Sequence, residues 1–290
     1  MNPVVSCRAM RGLASGILIV VAACLLAVAS PSGDVERNLQ REFVGKDMLL
    51  RGFYDGDDLR FDAAGKLTQG GATDSWTLAL VHIRYLKLKS DHLEVRGERF
   101  ALAYNTGTRQ FEKLRRTTDG KRALEVKISA EITPGADEAQ LRARLGQILM
   151  PLNEPFADTV PGCWRDYLKI APLGTPGPAG PAQVYPPDLS GFGVPVYRVG
   201  GDVKPPHAVS QPDPEYSEAA RKAKYQGTVV MAVVVGPDGR VLDVRIARPA
   251  GMGLDEKAVA AISTWRFEPA TRDGKPVAVL ISVDTSFRLY

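Results

Sequence analysis

The sequence predicts an α+β protein, with a separate β-rich domain that has one C-terminal helix, followed by a smaller α-β-β-α-β unit. Three observations lead to this class. Alternating apolar runs fill residues 34–167, a Pro/Gly-rich stretch covers 171–206, and helical and strand periodicities alternate over 207–290. The 290 residues are 44% apolar and 24% charged, a globular composition in a chain long enough for two domains.

Residues 1–30 are predicted to be a signal peptide or a membrane anchor. Arg8 and Arg11 precede an uninterrupted apolar run, Leu13–Ala29. Three alternatives stay open: a cleaved signal, a retained anchor formed by residues 13–29, or a lipoprotein acylated at Cys24. Each of them exports the rest of the chain, so we expect a periplasmic protein, either released or anchored in the inner membrane.

Cysteine and charge content narrow the class further. If the targeting segment is removed with Cys7 and Cys24, Cys163 has no intrachain disulfide partner. We expect Cys163 to be a packed apolar thiol. The formal net charge is +4, with no basic stripe carrying interleaved aromatic residues, which disfavours nucleic acid as a partner.

The β-rich domain at 34–167 matches no motif with a known role. Its alternating apolar residues predict strands at 48–54, 76–88, 92–104 and 121–132. Leucines at helical spacing predict one helix over 136–150, which Pro151 ends. The following stretch, 171–206, has the composition of an extended linker.

The C-terminal unit at 207–290 is predicted to be a three-stranded antiparallel sheet with helices packed on one side. The helices are expected at 217–224 and 254–265, where apolar residues recur at helical spacing. A Pro237-Asp238-Gly239 turn joins the first two strands. The strands are predicted at 228–235, 240–246 and 277–289.

Six short motifs stand in order through this unit. They are Pro214-Glu215-Tyr216, Gly227-Thr228-Val229, Pro237-Asp238-Gly239-Arg240-Val241, Leu254-Asp255, Trp265-Arg266-Phe267-Glu268-Pro269-Ala270 and Asp273-Gly274-Lys275-Pro276-Val277. Each is weak alone, but their order and spacing resemble the C-terminal domain of the TonB family of energy transducers. The resemblance covers residues from about 205 to 290.

The resemblance implies a partner and a mode of contact. In the TonB family, the last strand and the chain before the first helix receive the TonB box of outer-membrane receptors by strand addition. The expected partner-binding residues are Gln211, Pro212, Val277, Val279, Leu280, Ser282, Asp284, Ser286 and Arg288. A proline at Ser282 is then expected to weaken receptor binding while the fold survives.

The implied function is that of a periplasmic energy transducer or adaptor that supports import, with no enzymatic activity and no cofactor. Its implied partners are TonB-dependent outer-membrane receptors and an ExbB–ExbD-type proton motor, and the sheet edge also allows a homodimer. The alternative is a non-energised periplasmic scaffold. Leu13–Ala29 favours this alternative because it lacks the histidine of energised members and has Ser15 as its only hydroxyl. The family's Gln-Pro-x-Tyr-Pro motif is also altered here, to Gln211–Ser217.

Catalytic and metal-binding patterns are weak. His82 and His92 lie on adjacent predicted strands, but no third metal ligand has suitable spacing. Asp55, Asp57 and Asp58 resemble a calcium loop only loosely, and we expect a polar turn. There is no Gly-x-Ser-x-Gly motif and no phosphate-binding loop. The sequence therefore predicts a binding protein rather than an enzyme.

Overall fold

The computed structural model describes residues 33–71, 75–118, 120–179 and 189–289. The predicted targeting segment, with Cys7 and Cys24, lies outside the described residues. Within them, no helix is both long and apolar enough to cross a bilayer. The predicted mixture of helices and sheets is present, in two main sheets and one small one.

The first sheet has eight strands in the order β3-β2-β7-β5-β4-β1-β8, with β6 also paired to β5. Its elements are α1 (Gly33–Phe43), β1 (Asp47–Leu50), β2 (Asp58–Phe61), β3 (Leu67–Gln69), β4 (Leu80–Leu88), β5 (His92–Asn105), β6 (Gln110–Arg115), β7 (Glu125–Glu131), α2 (Glu138–Ile148), β8 (Leu149–Pro151) and α3 (Gly162–Ile170).

This part of the chain has more helix than the sequence predicts. The predicted helix is α2, whereas α1 and α3 were not predicted. The predicted strand 76–88 begins only at Leu80. Residues Trp76–Leu78 form a 3₁₀ turn instead, in which the Ser75 side chain accepts a hydrogen bond from the Thr77 N–H.

The second sheet, of six strands, has the order β10-β15-β16-β12-β13, with β9 also paired to β16, and β11 and β14 form a separate pair. Its elements are β9 (Val196–Arg198), β10 (Val203–Lys204), β11 (His207–Ser210), α4 (Glu218–Lys222), β12 (Gly227–Val235), β13 (Val241–Arg248), α5 (Leu254–Ile262), β14 (Arg266–Glu268), β15 (Ala270–Arg272) and β16 (Lys275–Phe287).

The observed sheet therefore has more strands than the three that were predicted. The predicted strands correspond to β13, β12 and β16, and three short strands extend the sheet beyond β16. One of these, β15, arises because Asp273 and Gly274 adopt positive φ and turn the chain straight back on itself. The other two, β9 and β10, come from 171–206, so this end of the predicted linker is part of the sheet.

Buried apolar residues of the two main sheets belong to one hydrophobic core. Trp76 and Trp164 meet edge to face at 5.1 Å between ring centroids, and the Trp164 indole N–H donates to Glu256 Oε1 of α5 at 2.8 Å. Cys163 is half-buried beside this contact, and burial raises the pKa of its thiol to about 12. The first unit is thus packed directly onto the second.

The main-chain joint between the units is formed by the end of β5 and the loop between β13 and α5. Tyr104 N donates to Ala250 O at 2.8 Å, and Met252 N donates to Leu102 O at 2.8 Å. Gly253 N donates to the Thr77 hydroxyl oxygen at 3.0 Å. This joint orients the second sheet relative to the first.

Candidate strand-docking site

One edge of β16 is occupied by β12 from Val279 to Phe287. The two strands are antiparallel from Gly227 opposite Phe287 to Val235 opposite Val279. The opposite edge, here called the outer edge, is the one on which a further strand could be added.

The β15–β16 hairpin determines which main-chain groups point to the outer edge. Arg272 and Lys275 close a turn of two residues, and such a closing pair exchanges hydrogen bonds. Because hydrogen-bonding direction alternates along a strand, the N–H and C=O groups of Ile281, Val283 and Thr285 point outward. The groups of Ser282 and its even-numbered neighbours point toward β12.

The outer edge is covered over only part of its length. β15 pairs with Lys275–Val277, and β9 pairs in parallel with Ala278–Leu280. Beyond these, Ile281–Phe287 has no strand partner on this side among the residues that the structure describes. We call Ile281–Phe287 the open edge; at about 3.3 Å per residue, it is roughly 20 Å long.

The two faces of the open edge differ in character. Ile281 and Val283 are half-buried and Thr285 is buried on the face toward α5. The opposite face is exposed and polar, with Ser282, Asp284 and Ser286 in sequence. An added strand would therefore alternate between an apolar and a polar environment.

Tyr216 closes the far end of the open edge. Its ring contacts Phe287 edge to face at 5.5 Å between centroids, and its hydroxyl donates to Tyr225 O at 2.5 Å. Burial raises the pKa of the Tyr216 phenol. The ring therefore remains a neutral hydrogen-bond donor at physiological pH.

The other long edge of this sheet, on β13, lies against α3. Asp166 of α3 forms an ion pair with Arg245 on one face of β13, while Trp164 reaches Glu256 of α5 on the other. Because α3 packs against β13 and is also hydrogen-bonded to α5, it covers this edge and leaves no room for a partner strand.

The predicted partner-binding residues fall into three groups. Ser282, Asp284 and Ser286 line the open edge, and Arg288 is exposed just after it. Val277, Val279 and Leu280 lie opposite β15 and β9 instead, and Val279 is completely buried, so its side chain cannot reach a partner.

Gln211 and Pro212 are exposed but belong to a different part of the surface. They follow β11, which pairs with β14 and not with β16. The Pro212 carbonyl accepts a hydrogen bond from the Trp265 indole at 3.2 Å. Among the residues that the structure describes, β16 pairs with β12, β15 and β9 and not with the segment that carries Gln211 and Pro212, so the predicted site falls into two separate parts.

The sequence missed the residues whose main chain faces outward, Ile281, Val283 and Thr285. The two-residue turn at Asp273-Gly274 was the available signal, because it determines the alternation. In the same register Ser282 lies opposite Ala232 of β12 and its N–H faces that strand, so the structure favours Val283 over Ser282 as the position where proline leaves the fold intact.

The candidate metal ligands have other contacts. His82 Nδ1 lies 2.7 Å from Asp47 Oδ1, and in the β4–β5 register His82 is opposite Glu98, whereas His92 is opposite Glu131. Within the described part of the chain, no group of three potential ligands could hold a metal ion. Asp55 instead forms an ion pair with Arg116.

The fold is that of a small domain of helices packed on a sheet, in which part of one strand edge has no partner among the described residues. Residues 212–289 match the family model for the Gram-negative bacterial TonB protein C-terminal domain. The chain is 33% identical over 87 residues to Protein TonB of Vibrio cholerae, covering 30% of this chain and 36% of that protein. It is 38% identical over 73 residues to Protein TonB of Escherichia coli, covering 24% and 28%.

The C-terminal unit is therefore a TonB C-terminal domain. The chain spans about a third of the length of the curated TonB proteins that it matches. Among solved structures, the solution structure of the Pseudomonas aeruginosa TonB C-terminal domain matches with 24% identity and a TM-score of 0.25, covering 31% of this chain and 89% of that one.

Proposed function

We propose that this protein is a periplasmic TonB-like transducer or adaptor that binds a short extended segment of outer-membrane receptor plugs along the open edge. The observation that carries this proposal is the outer side of Ile281–Phe287, which has no strand partner among the described residues, in a domain of the TonB type. The role is non-enzymatic and supports transmembrane import.

Strand addition suits this edge energetically. Each new main-chain hydrogen bond contributes about 0.5–1.5 kcal/mol net, so the few pairs available along the open edge favour a reversible complex. Ile281 and Val283 offer apolar contacts on one face, and Ser282 and Asp284 offer polar contacts on the other. A homodimer through the same edge would compete for the same groups.

The first 30 residues decide between transducer and scaffold. A retained segment at 13–29 allows contact with an ExbB–ExbD-type motor, whereas a cleaved one yields the non-energised scaffold. The absence of histidine from Leu13–Ala29 supports the scaffold as second candidate. The mass of the protein purified from the periplasmic and membrane fractions separates them, because a mature chain beginning near Ser30 excludes direct coupling to the motor.

Replacing Val283 with proline tests the docking edge. The change removes an outward N–H and places a proline ring on that edge. An incoming strand then loses a main-chain hydrogen bond and meets steric hindrance. We therefore expect at least about tenfold weaker binding to a fluorescent TonB-box peptide. Circular dichroism should report a folded protein, since proline is tolerated where the N–H faces solvent.

Two further variants control this experiment. Val283→Thr keeps the N–H and the β-branched shape, and should bind the peptide like the parent protein. Ser282→Pro should lose cooperative unfolding, because it removes a bond to β12. Unchanged affinity in Val283→Pro would reject this edge as the docking site.

A further inference from the structure

Residues 189–204, here called the strap, wrap around the β15–β16 hairpin. β9 of the strap runs parallel to Ala278–Leu280 on the outer edge of β16. β10 then pairs antiparallel with β15. The strap therefore occupies the outer edge directly beside the open edge, on the same row of main-chain groups.

The strap also covers an apolar patch on the face of the sheet opposite α5. The patch consists of Ala232, Val234 and Leu280, all of which are buried. The strap side chains that pack on it are Leu189, Phe192 and Val196. This contact is a small satellite of the main core and is the only apolar cluster on that face among the described residues.

Polar contacts hold the other end of the strap. Arg272 of β15 donates through Nε to Asp202 Oδ2 at 2.6 Å, and its guanidinium lies 5.0 Å from the centre of the Tyr197 ring. Gly200 and Gly201 adopt positive φ and turn the chain away from β16 just before Ile281. The pairing of the strap with β16 thus ends where the open edge begins.

The two parts of the outer edge differ in the side chains that lie beside them. The part under the strap has the apolar patch beside it, whereas the open edge has Ser282, Asp284 and Ser286 on the same face. An incoming strand with apolar alternate residues would gain most by extending onto the patch. To do so it must remove β9, which has only three residues and parallel pairing, the weaker arrangement.

We propose that the strap is an internal competitor, which occupies part of the docking edge and is displaced by a receptor strand that pairs along β16 from Ala278 to Phe287. The inference rests on the proposed function, since it assigns regulation to the same edge. The strap thereby lowers the apparent affinity for receptors and favours segments long enough and apolar enough to replace it.

The test compares the full-length exported protein with a variant carrying Leu189→Ser and Phe192→Ser, using a fluorescent TonB-box peptide of about ten residues to match the edge length. If the strap is docked nine-tenths of the time, its release tightens apparent binding about tenfold. Leu242→Ser is the control, because Leu242 is 44% exposed on β13 of the same sheet and away from the strap.

Hydrogen exchange on the unmutated protein provides a second readout. At saturating peptide, the amides of β9 should exchange faster while those of β12 should not. Tighter binding in the strap variant or faster exchange in β9 supports displacement. Equal or weaker binding by a folded strap variant, with unchanged exchange in β9, overturns the strap proposal and leaves edge docking intact. No binding by either protein overturns both proposals.

Discussion

Replacing Asp255 with alanine is expected to lower the free energy of unfolding by about 3 kcal/mol, because two buried N–H groups lose their acceptor. The Asp255 carboxylate is fully buried and accepts hydrogen bonds from Ala250 N and Gly251 N, both at 2.7 Å. Ala250 and Gly251 lie in the loop between β13 and α5, which is hydrogen-bonded to β5 of the first unit. Chemical denaturation followed by circular dichroism measures the loss.

An exposed aspartate provides the control for this prediction. Asp238 accepts a hydrogen bond from Arg240 N at 3.1 Å in the β12–β13 turn. Asp238→Ala should cost less than about 1 kcal/mol, since water can replace an exposed acceptor. Equal losses in the Asp238 and Asp255 variants would contradict the structural role assigned to the buried carboxylate.

The same carboxylate makes stability depend on pH. Burial, and next the charge of Glu256, raise the pKa of Asp255 well above its ordinary value. The folded state therefore binds this proton more tightly than the unfolded state. The resulting stabilisation is fully present below the unfolded pKa of about 4 and is lost as pH rises through the folded pKa.

Asp255→Asn isolates this effect because it cannot titrate. Its stability deficit relative to the parent protein should be largest near pH 4 or below and should shrink as pH rises. Denaturation curves over a series of pH values check this. A deficit that grows with pH would mean that the ionised carboxylate is the form stabilised by the fold.

Replacing Gly251 with alanine is expected to destabilise the protein by about 3 kcal/mol or more through strain and lost hydrogen bonds. Gly251 has φ of +83°, and a Cβ there would lie 2.2 Å from Leu102 O of β5. The joint must open to accept it, which weakens the bonds of Ala250 and Met252 to β5. The unfolding free energy measures the effect.

Gly274 supplies a matched control. Its φ is +73°, but nothing lies within 4 Å of an added Cβ. Gly274→Ala should therefore lower the free energy of unfolding only by the cost of a positive φ at a non-glycine residue, about 1–2 kcal/mol. The difference between the two variants reports the contact between the units. If both lose the same stability, the close approach of Gly251 to β5 contributes nothing.

Both predictions concern a joint that sequence reasoning did not reveal. The sequence itself shows only that Asp255 lies in the first turn of a helix, where a negative charge complements the helix dipole. Its burial depends on β5 and Thr77, which lie about 150 to 180 residues earlier in the chain. No local pattern encodes a contact over that distance.

The sequence alone determined the mixed α and β class, the central strands β12, β13 and β16 and the Pro237–Gly239 turn, because each depends on side-chain periodicity or turn chemistry within a short window. The TonB-type domain was identified from the sequence by its resemblance to a known family, through six motifs in order. Only the tertiary structure decided which part of β16 is open. That outcome depends on where β9, β15 and α3 pack, and packing between distant segments leaves no periodic signal in the chain.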